Sequence, residues 1–230
     1  MKILAIESSA KAASVALTSG ETLIAQYFQN SGLTHSRTLL KMAEALLSDT
    51  GIGFDALDGI AVAQGPGSFT GVRIGVAAAV GLALGSDLPV CGVSTLVAMA
   101  YQCPDLSHIV CPVMDARRGQ VYNALFDGTT GEPKMVCPDR AIVVTDLICE
   151  AHSAERPYLF VGDGAVLCAE QFEKAGVLYT LAPPLIRLQT AYGVARAALN
   201  KPFISALDLQ PSYLRASQAE RERREKGLPL

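Results

Sequence analysis

The sequence predicts an α/β protein built from two similar halves, and three observations predict it. A meander of three short apolar runs is followed by helix, strand, helix and strand. The same element order recurs after residue 108 without strong sequence repetition. Half of the 230 residues are hydrophobic and 18% are charged, which requires a substantial core and excludes a disordered chain or a disulfide miniprotein.

In the first half, residues 2–7 (KILAIE), 13–18 (ASVALT) and 23–28 (LIAQYF) read as strands separated by small-residue turns. From Thr34 to Thr50 the period becomes helical. At 100° per residue, Leu39, Leu40, Met42, Ala43, Leu46 and Leu47 span an arc of about 160°, opposite Arg37, Lys41, Glu44 and Ser48. That arc is wider than the ~100° a core-facing stripe needs. Residues 59–64 read as a buried strand, 65–71 as a loop, 72–84 as an Ala- and Gly-rich helix and 89–93 as a strand. In the second half, strands fall near 108–114, 120–126, 133–138 and 158–162, with helices from Thr145, from Gly164 to Ala175 and from Thr190 to Asn200. The expected organisation is a first lobe over 1–101, a second over 102–215 and a charged tail over 216–230, which reads as solvated or frayed with docking as the other reading.

Charge is distributed unevenly between these lobes. Residues 1–101 hold 5 Lys or Arg and 7 Asp or Glu, well below the ~25% charge of an average domain. The first lobe therefore either buries an unusual share of itself or leaves an apolar face for something else to cover. A net charge of −3 gives no global field for a nucleic-acid backbone. Six cysteines without a CxxC pair read as reduced thiols of a cytoplasmic protein. No membrane association is expected, because no apolar run reaches the ~20 residues of a span.

The segment most informative about function is Gly65 to Gly75, GPGSFTGVRIG, between a strand and a helix. Such loops hold anions or make tight turns, yet named phosphate motifs fail: Val72 and Arg73 follow Gly71 where a P-loop needs Lys and Ser or Thr, and Thr70 stands where the dinucleotide fingerprint needs Gly. No nucleophile elbow surrounds Ser68, flanked by Pro66 and Thr70. Gly71, Gly75, Gly81 and Gly85 cost roughly 1 kcal/mol each against Ala inside a helix, so they predict close packing against another backbone. His35, His108 and His152 form no helical metal pair. Glu7 ends the first strand where α/β folds often place a functional acid. Asp115, Arg117 and Arg118 read as a salt-bridged turn or a polar site, and Asp163 as a helix-start acid.

Together, the segments ILAIESSAKAASVAL, GPGSFTGVRIG, LPVCGVSTL, MDARRGQVY and PSYLR, in this order, resemble the bacterial TsaB (YeaZ) family over nearly the whole chain. The resemblance implies an actin-like (ASKHA, ribonuclease H-like) fold, two βββαβα lobes in a short form. It also implies a non-catalytic scaffold or activating subunit for synthesis of threonylcarbamoyladenosine (t6A), made beside the anticodon in tRNAs reading codons that begin with adenine. Implied partners are the catalytic paralogue TsaD, the ATPase TsaE and, indirectly, tRNA, with a homodimer when the paralogue is absent. No cofactor or metal is expected on this chain, and ATP or ADP and metal belong to the partners. The implied partner-binding positions are Leu39, Met42, Ala43, Leu46, Gly71, Gly75, Ala78, Gly81 and Leu82. Glu7 and the loop Gly65, Pro66, Gly67, Ser68, Phe69, Thr70 and Arg73 face either the partner or a nucleotide. The fold's usual Asp-x-Gly turn stands here as Glu7-Ser8-Ser9, and the side chain at Ser9 restricts a nucleotide's approach. The competing reading is an independent ATP-dependent transferase or a metal-dependent, glycoprotease-like hydrolase using Glu7, Asp115 and Asp163.

Overall fold

The computed structural model describes residues 1–103, 107–129 and 131–215. The first lobe contains β1 (Lys2–Glu7), β2 (Ala13–Ser19), β3 (Thr22–Gln29), α1 (His35–Thr50), β4 (Gly59–Gly65), α2 (Phe69–Ser86) and β5 (Val90–Ser94). Its sheet has the order β3-β2-β1-β4-β5, antiparallel through the meander and parallel from β1 to β5. The runs of β1, β2 and β4 are apolar on both faces because both are covered, and the strand period of two sorts residues by size. Leu4, Ile6, Val15, Leu17, Ile60 and Val62 pack under α1 and α2. Ile3, Ala5, Ala16, Ala61 and Ala63 face the opposite side.

The second lobe repeats the plan with β6 (Ile109–Arg117), β7 (Gln120–Asp127), β8 (Lys134–Val143), α4 (Val144–His152), β9 (Tyr158–Val161), α5 (Ala165–Ala175) and β10 (Tyr179–Leu181). Its order, β10-β9-β6-β7-β8, superposes on the first when β6 is matched to β1. The remaining helices, α3 (Thr95–Tyr101), α6 (Pro184–Arg187) and α7 (Ala191–Ala198), join the lobes. Both α3 and α7 serve the other lobe. Leu96, Met99 and Ala100 of α3 pack with Val110, Met114, Phe126 and Leu159 of the second sheet. Ala191, Val194, Ala195 and Ala198 of α7 pack on the first sheet's small-residue face. The helices cross closely enough that a Cβ on Gly193 would lie 2.3 Å from the Ala98 carbonyl oxygen. Gln102 fastens the crossing. Its amide donates to the carbonyls of Ile186 and Leu188, both at 2.8 Å, and its oxygen accepts from the Thr190 amide and hydroxyl.

Several expectations are corrected. Segment 191–209, expected in the second lobe, packs on the first, with Ala206 and Leu209 in the first core. The helices at 95–101 and 184–187 and the strand at 179–181 had no sequence expectation, being too short to complete a periodic pattern. The helix expected from Val72 begins at Phe69, because the Ser68 hydroxyl caps it by accepting from the Gly71 amide. Strand β8 runs to Val143 rather than ending near 138. Cys91, Cys103, Cys111 and Cys168 are buried, whereas Cys137 is half-buried and Cys149 exposed. Among the described residues, α2 alone is long and apolar enough to cross a membrane on length and composition. One of its faces lies in the first core, through Val72, Val76, Ala79 and Ala83. The tail, with Arg221, Arg223, Arg224 and Lys226, lies outside the described residues.

Candidate functional site

Two surfaces collect the residues singled out by sequence: a cleft between the lobes and the outer face of α1 and α2. The cleft, of about 510 Å³, lies between the β1–β2 turn and the Gly67–Ser68 loop on one side and the ends of β6 and β9 on the other. Equivalent strands end alike in the two lobes. Gly65 after β4 and Gly162 after β9 have φ of +118° and +112°. A Cβ would stand 2.2 Å from the Ser212 carbonyl oxygen at Gly65 and 2.1 Å from that of Val113 at Gly162. Only glycine fits either place.

Glu7 is completely buried at the end of β1. One oxygen accepts from the Ser9 amide at 2.6 Å, and the other has no hydrogen-bond partner. Burial, opposed by the Ser9 hydrogen bond and reinforced by nearby Asp163, raises its pKa to about 7. Asp163 is also raised by burial, although it accepts from Gln189 at 2.8 Å. Asp115 instead accepts from the Arg117 amide at 2.7 Å and pairs loosely with the Arg117 guanidinium at 3.7 Å, in a turn where Arg117 and Arg118 both have positive φ. The sequence's salt-bridged turn is the arrangement observed.

Among the described residues, no group of three His, Cys, Asp or Glu side chains is placed to hold a metal. At this floor neither Ser8 nor Ser9 bonds a histidine. Ser8 donates to the Gly71 carbonyl at 2.9 Å, Ser9 Oγ is buried without a partner, and the His35 ring bonds the Ala10 carbonyl at 2.7 Å. A nucleophile requires the base within hydrogen-bond reach.

On the outer surface, the positions expected to bind a partner divide. Leu39, Ala43, Leu46, Gly71 and Gly75 turn inward and are buried in the lobe's own core, which corrects that expectation. Gly71 and Gly75 are small for an internal reason: a Cβ on either would lie 2.2 and 2.4 Å from Ser8 atoms. Met42, Ala78 and Leu82 are half-buried, and Gly81 is exposed. Around Gly81 and Gly85 a Cβ would meet nothing within 4 Å. Exposed Thr70, Arg73, Ala77, Gly81, Leu84 and Gly85 fall within about 120° of one helix face. A shallow groove lined by Leu40, Leu47, Ile52, Phe54 and Leu82 adjoins it. Sequence reasoning missed Leu84, 56% exposed, and left Leu40, 51% exposed, without a role. Their exposure in an otherwise buried pattern emerges only when the core side of each helix is known.

The loop residues also separate. Pro66 is buried like Glu7 and Gly65, Gly67 and Ser68 line the cleft, and Thr70 is exposed. Phe69 stacks on Tyr213 with ring centroids 4.7 Å apart, and the Arg73 guanidinium lies 3.8 Å over Phe69. Ser212 and Tyr213 had no assigned role in the sequence, and their contacts span about 140 residues of chain; Arg215, read from sequence as a candidate phosphate contact, instead bonds the Ala116 carbonyl.

A two-lobe molecule with crossed linker helices and strand-end glycines at its cleft is an actin-like protein of the ASKHA type. The ethanolamine utilization protein EutJ from Carboxydothermus hydrogenoformans shares this fold, with a TM-score of 0.52 and 12% identity over 86% of this chain and 90% of that one. The family model described as "TsaD: tRNA N6-adenosine threonylcarbamoyltransferase" matches residues 29–222. Within that wider family, the chain belongs to the TsaB (YeaZ) family of tRNA threonylcarbamoyladenosine biosynthesis proteins. It is 34% identical to the Bacillus subtilis protein of that name over 96% of both chains. A Pseudomonas aeruginosa structure, described as an uncharacterized protein with similarity to peptidase YEAZ, superposes with a TM-score of 0.79 at 27% identity, covering 93% of this chain and 99% of that one.

Proposed function

We propose that this chain is a non-catalytic scaffold of t6A synthesis, which docks the catalytic paralogue TsaD on the exposed face of α2 and the adjoining α1 groove. The observation that carries the reading is the small, nearly uncharged surface formed by Ala77, Gly81, Leu84 and Gly85. Gly81 and Gly85 lack any packing reason within the chain, and glycines on a helix face let a second helix approach closely. Exposed contiguous apolar surface marks an interaction site. In this reading ATP or ADP and metal act on the partner subunits, TsaE joins the assembly, and tRNA is engaged through the complex. The same face forms a homodimer when the paralogue is absent, and the complex works in the cytoplasm.

Interface residues must be tested at exposed positions. Leu46→Asp would place a charge in the core and report folding, whereas Leu84→Glu charges the exposed face. Titration of TsaD is expected to show about 100-fold weaker binding to Leu84→Glu, comparable to loss of an interface hot spot. Undiminished affinity would place the contact elsewhere. Reconstituted tRNA modification with and without this chain tests necessity, and t6A formation at full rate in its absence would sink the scaffold reading.

A further inference from the structure

Residues 209–215 bind both lobes beside the cleft, whose lining includes Gly67, Ser68 and Ala116. Two β-bulges receive them. In the first lobe the pairing of β4 with β5 skips Gln64, and in the second the pairing of β6 with β7 skips Ala116. A bulged residue's backbone groups are left out of the ladder and must find another partner when buried. Here the segment supplies both partners: the Ser212 amide donates to the Gln64 carbonyl at 2.7 Å, and Arg215 Nη1 donates to the Ala116 carbonyl at 3.1 Å. The first-lobe attachment is rigid, because Gly65 lies against the Ser212 carbonyl too closely for any Cβ. Between these anchors, Tyr213 stacks on Phe69, and its hydroxyl accepts from Arg73 Nε at 2.8 Å. Arg73 lies on the same exposed face of α2 as Ala77, Gly81 and Leu84.

We propose that residues 209–215 form a latch that holds the two lobes together beside the cleft and links the state of the α2 face, through Arg73 and Tyr213, to the Ala116–Gly119 turn of the second lobe. Elsewhere the lobes meet at the α3–α7 crossing and through the Ser94 hydroxyl, which donates to the Asp139 carboxylate, so the segment adds a separate tie between them. Anything that draws Arg73 away from Tyr213 loosens the strand carrying Arg215. The importance of this link as a route from a docked partner to the cleft rests on the function proposed above; the latch itself does not.

Amide hydrogen exchange on the full chain tests it. Arg215→Met keeps the apolar stem and removes the donor, and is expected to speed exchange at 116–119 about tenfold, as loss of one charge-assisted hydrogen bond would. Arg73→Met, with no contact of its own to the second lobe, is expected to speed the same amides severalfold, while β9 amides at 158–161 stay at the wild-type rate. Exchange at 116–119 within twofold of wild type in either variant overturns the proposal. Should Arg215→Met also loosen β9, Tyr213→Phe, which keeps the ring stack and loses the acceptor, decides: unchanged exchange at 116–119 overturns the latch. The Leu84→Glu titration is read on a different variant and a different signal, so failed docking and a failed latch are distinguishable.

Discussion

In the first half of α2, Gly71 and Gly75 press against Ser8 at the end of β1, while in the second half Gly81 and Gly85 face open space. One helix thus uses the same residue for two purposes: to let a strand approach on the inside, and to leave a flat outer surface. The contrast explains how a lobe with so few charges stays folded and still presents an unpartnered face. It also shows that a glycine spacing read along a helix combines two faces with different consequences.

The largest effect is expected at the buried end. Gly71→Ala forces a methyl group against the Ser8 backbone, and overpacking against groups that cannot move costs about 3 kcal/mol; thermal or urea unfolding measures it, and a loss under 1 kcal/mol would show that β1 yields easily. Next is Glu7, beside Ser8. Its folded pKa of about 7 exceeds the unfolded value of 4.5, so the folded state holds the proton more tightly. Its contribution is therefore complete below about pH 4.5 and is lost as pH rises through 7. Raised Asp163 acts in the same direction. Glu7→Gln keeps an acceptor for the Ser9 amide and removes the charge. It is expected to be more stable than wild type at pH 8 by about 3 kcal/mol, a margin that shrinks toward pH 5, and parallel urea midpoints across that range would refute the assignment.

At the open end the sign reverses. Gly81→Ala meets no atom and gains helix propensity, so the isolated chain should be stabilised by about 1 kcal/mol, while TsaD binding weakens because the added methyl holds the partner off. A destabilised Gly81→Ala variant would erase the distinction between the two halves. The smallest stability effect is expected for Leu84→Glu, within about 0.5 kcal/mol of wild type by urea unfolding, as for other exposed substitutions.

Much of the architecture was legible in the sequence. The meander, α1, β4, α2 and β5 follow from period and punctuation, and the repeated order foretold two sheets of matching strand order. The residues of the exposed α1 and α2 face were only partly legible. Leu39 and Leu40 are adjacent and equally apolar, yet one lies in the core and the other in solvent, because the helix's rotation on the sheet decides which edge of a wide apolar arc is covered. The short α3 and α7 escaped or were misplaced for a related reason: their lobe is chosen by a crossing of helices, which leaves no local periodic signal.

The sequence by itself determined the order of the longer elements, the charge-poor first lobe, the strand-ending glycines and the family, since these depend on local backbone preference and on patterns carried along the chain. Only the tertiary structure decided which glycines are internal, that residues 191–209 return to the first lobe, and that Tyr213 and Arg215 of one segment touch different lobes. Those outcomes depend on contacts between residues from 63 to 175 positions apart, whose free energy exists only once the chain has folded back on itself.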